Sequence, residues 1–295
     1  MDVATLARNQ PHDIGDALKA MRETLEIFHE RNDKRAIFLR LYYIMTREVE
    51  AAIRGLGAYE GKAVFLDRDW IARLSGRFCS LYFESLDLSG RDPGEAQAWT
   101  IANKAAESGE STVVQNALLG INAHINYDLA HAIADNMIEY GDLGNRSALM
   151  ARRFDHDQVN NLLVRSLPYI QAVLARDYGP GIATIDRLLG SLDERVSALE
   201  LKYYRERVWG DALAFAAALD AGRGGESVVV AKLNWESHKL AQLLAGPSLW
   251  QQALWYPERL FTAGWRLLGG STSYTGIRLE EAGSVPVTAV GNPFR

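Results

Sequence analysis

Apolar residues along this chain recur at helical spacing. Leu18, Met21, Leu25 and Phe28 mark a first helix over residues 14–29. RNDKR interrupts the pattern, with Asn32 or Asp33 as the expected cap of the next helix. That helix carries a stripe of Phe38, Leu41, Tyr42, Met45, Val49 and Ile53, and GLGAYEGK ends it. Asp67 is placed to cap a third, whose apolar side is Trp70, Leu74, Phe78, Leu81 and Tyr82. After the turn cluster SGRDPG the spacing predicts a short helix over 96–106, and then a long one over 115–137. A further helix is expected to start at Asp155 or Asp157, with Pro168 kinking or ending it. Helical segments over 182–192 and 193–219 follow, then a hinge at AGRGG (221–225) and a helical period resuming at Leu233.

No alternating pattern is long enough for a sheet, so the fold class expected is all-α, an irregular multi-helix bundle with an extended C-terminal tail. The expected organisation is a main helical domain over 1–220, additional C-terminal helices over 226–268 packed on it, and the tail over 269–295. The tail is rich in Gly, Ser, Thr and Val, with Tyr274, Ile277 and Phe294 as its few anchors. It is therefore expected to add little to folding, so that truncation at Gly270 leaves the melting temperature nearly unchanged.

Composition narrows the function classes. The 295 residues are 48% hydrophobic and 23% charged, with net charge −5 and no basic tract of the kind that follows phosphates. Nucleic acid is thus not an expected partner. The single cysteine, Cys79, can form no internal disulfide, and it sits beside Phe78 and Leu81 like a small core residue. The N-terminal segment lacks the pattern of a signal peptide, and no apolar run approaches the roughly 20 residues that span a bilayer. A cytoplasmic protein with no membrane partner is expected.

The candidate chemistry lies in the helix over 115–137, which is polar in its middle. At 100° per residue, Asp128, His131 and Asp135 fall about 40°, −20° and 20° from His124. Imidazole and carboxylate groups on one stripe suit a zinc or iron ion. They equally suit a pair in which Asp128 orients His124 as an acid–base catalyst. Asn122 and Asn126 point roughly to the opposite side. A second metal pattern pairs Glu26 and His29 with Asp128 and His131, as in di-iron bundles, with Glu48 or Glu84 to complete it. A solvated helix face is the plainer account of Glu26 and His29. HxxxD ligands also occur in the helical domains of zinc phospholipases C, whose remaining pattern is missing here. Arg205 and Trp209 can bind an anionic group or stack on a ring. A buried Arg205 paired with Asp128 or Asp155 is the alternative. No nucleophile elbow, phosphate loop, dinucleotide glycine pattern or CxxC pair is present.

GINAHINYDL resembles the signature of a mainly bacterial family known as domain of unknown function 5995. NDKRAIFLRLYYIMTREV, LDRDWIARLSGRFCSLYF, FDHDQVNNLL and YYRERVWGDAL resemble further blocks of it, so the likeness covers roughly residues 14–220. The resemblance implies a helical fold and brings no established activity. It places Asn122, His124, Asn126, Asp128, Asp155 and Asn160 on family positions, and Arg205 and Trp209 on a later Arg and Trp. His131 and Asp135 fall where the family usually has apolar residues or proline.

The function expected is an enzyme acting on a small, largely apolar substrate between helices, centred on His124 and Asp128. It would use a metal (zinc or non-haem iron, held by His124, Asp128, His131 and Asp135) or His–Asp acid–base catalysis. Asn122, Asn126, Arg205 and Trp209 would contact the substrate. The alternatives are a metal-free binding protein and a helical scaffold with a structural His–Asp pair. A homodimer is compatible with either.

Overall fold

The computed structural model describes residues 3–89, 92, 94–179, 191–222, 224–246 and 274–279, with the backbone alone for 191–202. It is 77% helical, and no strand occurs among the described residues. A short α1 (Val3–Leu6) precedes α2 (Ile14–Glu30), where the Asp13 carboxylate accepts from the amides of Gly15 and Asp16. This satisfies two of the amides that a helix start leaves open. Leu18, Met21, Leu25 and Phe28, the apolar spacing positions, are all fully buried.

α3 (Arg35–Arg54) is the most enclosed helix: even Arg40, Arg47, Glu48 and Glu50 are buried in it. It starts after Asn32, which takes a positive φ of 53°, and Asp33, whose carboxylate accepts from the Arg35 amide at 2.9 Å. Gly55 ends it in the left-handed conformation that glycine adopts most readily. α4 (Arg68–Glu84) is capped by Asp67 on the Trp70 amide, as the spacing predicts.

α5 (Gln97–Ser108) leads to α6 (Val113–Ala123), which opens with a reciprocal capping box between Thr112 and Gln115. α6 continues through a π-helical turn, His124–Asp128, into α7 (Leu129–Glu139). Together these three pieces make the central helix. α3, α5 and α10 (Glu226–Ala245) pack on its first half, and α4 and α9 (Ser191–Ala221) on its second.

α8 runs unbroken from Arg146 to Tyr178. Its start is set by Asn145, which accepts from the Ala148 amide, ten residues before the expected Asp155. Pro168 lies within it and does not end it. Asp155 is a mid-helix residue with another task. Its carboxylate accepts from the amides of Leu66 and Asp67 at 2.7 and 2.9 Å, tying the approach to α4 onto α8.

The C-terminal helix is part of the body. Gln115 donates to the Leu244 carbonyl and Asn122 to that of Ser237, so α10 is bonded to the central helix by side chains from both. The glycine hinge survives as left-handed Gly222 and Gly224. Residues 274–279 include two of the expected anchors of the tail, Tyr274 and Ile277, and both pack on the body. Tyr274 is buried edge-on against Tyr178 at 5.0 Å, and its amide donates to Asn32 at 2.8 Å. Ile277 and Leu279 pack against the core. An aromatic ring reaching a pocket between α2 and α8 anchors a segment whose composition alone looks weakly held. The remaining tail, and the expected helical segments over 182–190 and 247–268, lie outside the described residues.

Candidate functional site

The π-turn decides the geometry of the centre. The Leu129 amide reaches back five residues to the His124 carbonyl. A turn of this kind holds one more residue than an α-turn; such turns are rare and are found frequently at functional sites. Everything beyond it is rotated by about 100° relative to an uninterrupted helix. This is why the predicted four-residue stripe does not assemble.

His131 Nδ1 bonds the Tyr127 carbonyl at 2.8 Å, and its ring lies between Tyr127 and Phe215 at 4.8 Å from each. Asp135 accepts from Arg77 at 2.7 Å. The Glu26–His29 pattern also dissolves: Glu26 pairs with Arg22 on the surface, whereas His29 bonds the Tyr178 hydroxyl inside. Glu48 accepts from the Tyr59 hydroxyl, and Glu84 from Arg77 and Gln10. Among the described residues no three His, Cys, Asp or Glu side chains group so as to hold a metal ion. The donor set expected for zinc or iron is therefore not brought together.

His124 and Asp128 do come together. Nδ1 of His124 lies 2.8 Å from Oδ2 of Asp128, and the indole N–H of Trp99 donates to the same oxygen at 2.9 Å. Both partners are almost wholly enclosed, at 2% and 3% exposure. A carboxylate only accepts, so the neutral ring carries its proton on Nδ1 and leaves Nε2 as a lone pair. That Nε2 is buried and has no hydrogen-bond partner. Burial holds the ring well below the usual histidine range, and the charge of Arg205 pushes it further the same way.

The ring sits in a cage of aromatics. Phe78 stacks on it, with centroids 3.5 Å apart and planes 8° from parallel. Tyr42 stands edge-on at 4.4 Å, Phe38 at 5.6 Å, Trp99 at 6.0 Å and Tyr82 at 6.2 Å. Gly120 makes room for Phe38 in this cage. A Cβ there would lie 2.3 Å from Cγ of Phe38, a contact no real side chain makes. Phe38, Tyr82 and Trp99 also line a crevice of about 20 Å³, together with Lys34, Asn103 and Asn116. Cys79 is buried nearby with its thiol pushed up by burial, the state of an inert core thiol rather than a nucleophile.

The expected substrate contacts divide into two groups. Asn122 and Asn126 face α10. Asn126 donates to Asn122 at 3.0 Å, Asn122 donates to the Ser237 carbonyl at 2.8 Å, and the Asn126 carbonyl oxygen is buried without a partner. Arg205 and Trp209 face α8. Arg205 pairs with neither Asp128 nor Asp155; its Nε donates to the Asn160 side chain. His156, also on α8, bonds the Arg205 carbonyl at 3.2 Å and packs on the Trp209 ring.

Spacing along single helices identified the dyad and the two asparagines. It missed Trp99 as the second hydrogen-bond partner of Asp128. The cage residues Phe38, Tyr42, Phe78 and Tyr82 were legible only as apolar stripes of their own helices. Their convergence on one imidazole is a property of the packing.

No curated protein and no solved structure matches this chain. Among the described residues no helix is long and apolar enough to cross a membrane. One family model does match, over residues 14–247, which takes in α10 as well as the blocks that carry the resemblance. The match covers most of the chain and includes the dyad, its cage and both asparagines, and the chain belongs to the family of unknown function DUF5995.

Proposed function

We propose that the protein is an enzyme acting on a small, largely apolar molecule held among its helices, with neutral His124 as the proton acceptor. The observation that carries this reading is the lone pair of His124 Nε2, buried without a partner while Nδ1 is fixed on Asp128. Buried polar atoms are nearly always satisfied, and a catalytic role is one of the few reasons for an exception. Asp128 would set the tautomer and stabilise the imidazolium formed on proton transfer. Trp99 would hold Asp128 through its second hydrogen bond. The apolar cage favours an apolar substrate with one acidic O–H or N–H.

The enclosure of the ring supports a second reading, a structural pair in a protein that binds or scaffolds. Phe78 stacked at 3.5 Å is the packing a core imidazole would have.

The probe that separates the two is p-cresol, an apolar ring with one hydroxyl donor. The proposal expects p-cresol to raise the melting temperature and to shift the imidazole nitrogen resonance of Nε2. Both effects should vanish in His124→Phe, which keeps the ring and loses the lone pair. An unmoved resonance, with His124→Gln and Asp128→Asn simply destabilised by about 1–3 kcal/mol, would establish the structural pair.

A further inference from the structure

Outside the dyad, the most unusual group in the molecule is Arg205. It is 4% exposed, and burial lowers its guanidinium from the usual range to about 10. Its one side-chain hydrogen bond goes to a neutral partner, Oδ1 of Asn160. Among the described residues no carboxylate lies within 4.0 Å of it. Arg40 on α3 and Arg152 on α8, also buried, have acidic partners: Asp177 for the first, Asp67 and Asp142 for the second. A buried cation without a counter-ion is among the most costly arrangements in a protein interior.

The groups around it are left open in the same way. Asn160 Nδ2 is a buried donor with no partner, on the same amide that Arg205 holds by its oxygen. His156 is 1% exposed, bonds the Arg205 carbonyl through Nε2 and has an unpartnered Nδ1. The charge of Asp157 acts on the guanidinium without touching it: its Oδ2 pairs with Arg153, and its Oδ1 is buried without a hydrogen-bond partner. One turn after Arg205, Trp209 forms part of the wall of an open groove of about 440 Å³. Met150, Phe154 and Leu213 line it with Arg146, Arg153 and Asp157, and the first two are exposed apolar side chains.

We propose that Arg205 and Asn160 form an interior receptor for the carboxylate of an organic anion whose apolar body lies toward the Trp209 groove. The planar guanidinium still offers its Nη edge, which matches a carboxylate with two parallel hydrogen bonds. Asn160 Nδ2 adds a third donor. The anion provides a counter-charge in direct contact, where among the described residues Asp157 acts only from beyond 4.0 Å. This receptor does not depend on the dyad, so His124→Gln should leave it intact.

Sodium benzoate is the probe, with sodium chloride at equal ionic strength as the control and inorganic phosphate as a second anion. At about 10 mM, benzoate should raise the melting temperature by roughly 2–4 °C over chloride in the wild type and in His124→Gln. Arg205→Met should lose that rise while melting no lower than the wild type in chloride, because it removes an uncompensated charge. Asn160→Asp supplies the counter-ion from within; it should melt higher and ignore benzoate, and it decides the matter if Arg205→Met does not fold. A wild type indifferent to benzoate, a rise that persists in Asn160→Asp, or a response to phosphate alone would overturn the proposal.

Discussion

Acidification tests the electrostatics of the interior directly. Three histidines are held neutral by the fold: His124 and His156 by burial and the Arg205 charge, and His29, lowered to about 4 by burial and Arg40. In the unfolded chain each returns to an ordinary value near 6.5. Below that value the unfolded state binds more protons than the folded one, so stability falls as the pH falls. The contribution is fully present above about pH 6.5 and is lost progressively down to the folded value, near 4 for His29. A histidine that stays neutral in the fold between pH 7.5 and 5.0 costs about 2 kcal/mol over that interval. Three of them amount to roughly 6 kcal/mol, a large share of the 5–15 kcal/mol that holds a typical domain together. Asp155 works in the opposite direction, because burial raises it. Urea unfolding at pH 7.5, 6.5, 5.75 and 5.0 reads the loss as a falling midpoint at constant slope. His29→Gln and His156→Gln should each remove about a third of the pH dependence, even where they lower stability at pH 7.5. A midpoint that stays level to pH 5 would refute the claim that the folded interior excludes these protons.

Two further predictions concern packing. Gly120→Ala places a Cβ against the Cβ, Cγ and Cδ2 atoms of Phe38, none of which can swing away, and should cost at least about 1–3 kcal/mol by chemical denaturation. Combining it with Phe38→Ala should cost less than the two single losses added, and strict additivity would show that the cage is not where the strain falls. Tyr274→Ala should cost about 2–4 kcal/mol through the lost ring contacts with Tyr178 and His29, and truncation at Gly270 should lower the melting temperature by several degrees; an unchanged melting temperature would return the tail to a passive role.

Much of the fold was written in local pattern. Apolar residues at i, i+3, i+4 and i+7, Asp67 before α4 and glycines at Gly55 and Gly222 each act over a few residues. Their consequences are therefore legible without a tertiary structure. The His124–Asp128 pair belongs to the same class, because one helical turn separates its members. The departures from that pattern have physical causes too. Asn145 outcompeted Asp155 as a cap because Asp155 serves amides on another element, and Pro168 is accommodated inside α8.

The sequence by itself thus determined an all-helical chain with a polar centre on its long middle helix. Tertiary structure decided what that centre is. The π-turn rotates His131 and Asp135 off the stripe, and four neighbouring helices contribute the enclosure: Phe38 and Tyr42 from α3, Phe78 and Tyr82 from α4, Trp99 from α5 and the Arg205 charge from α9. Helix propensity and apolar period depend on neighbours within a turn, whereas the environment of a buried imidazole depends on residues up to eighty positions away, and those meet only once the helices have packed.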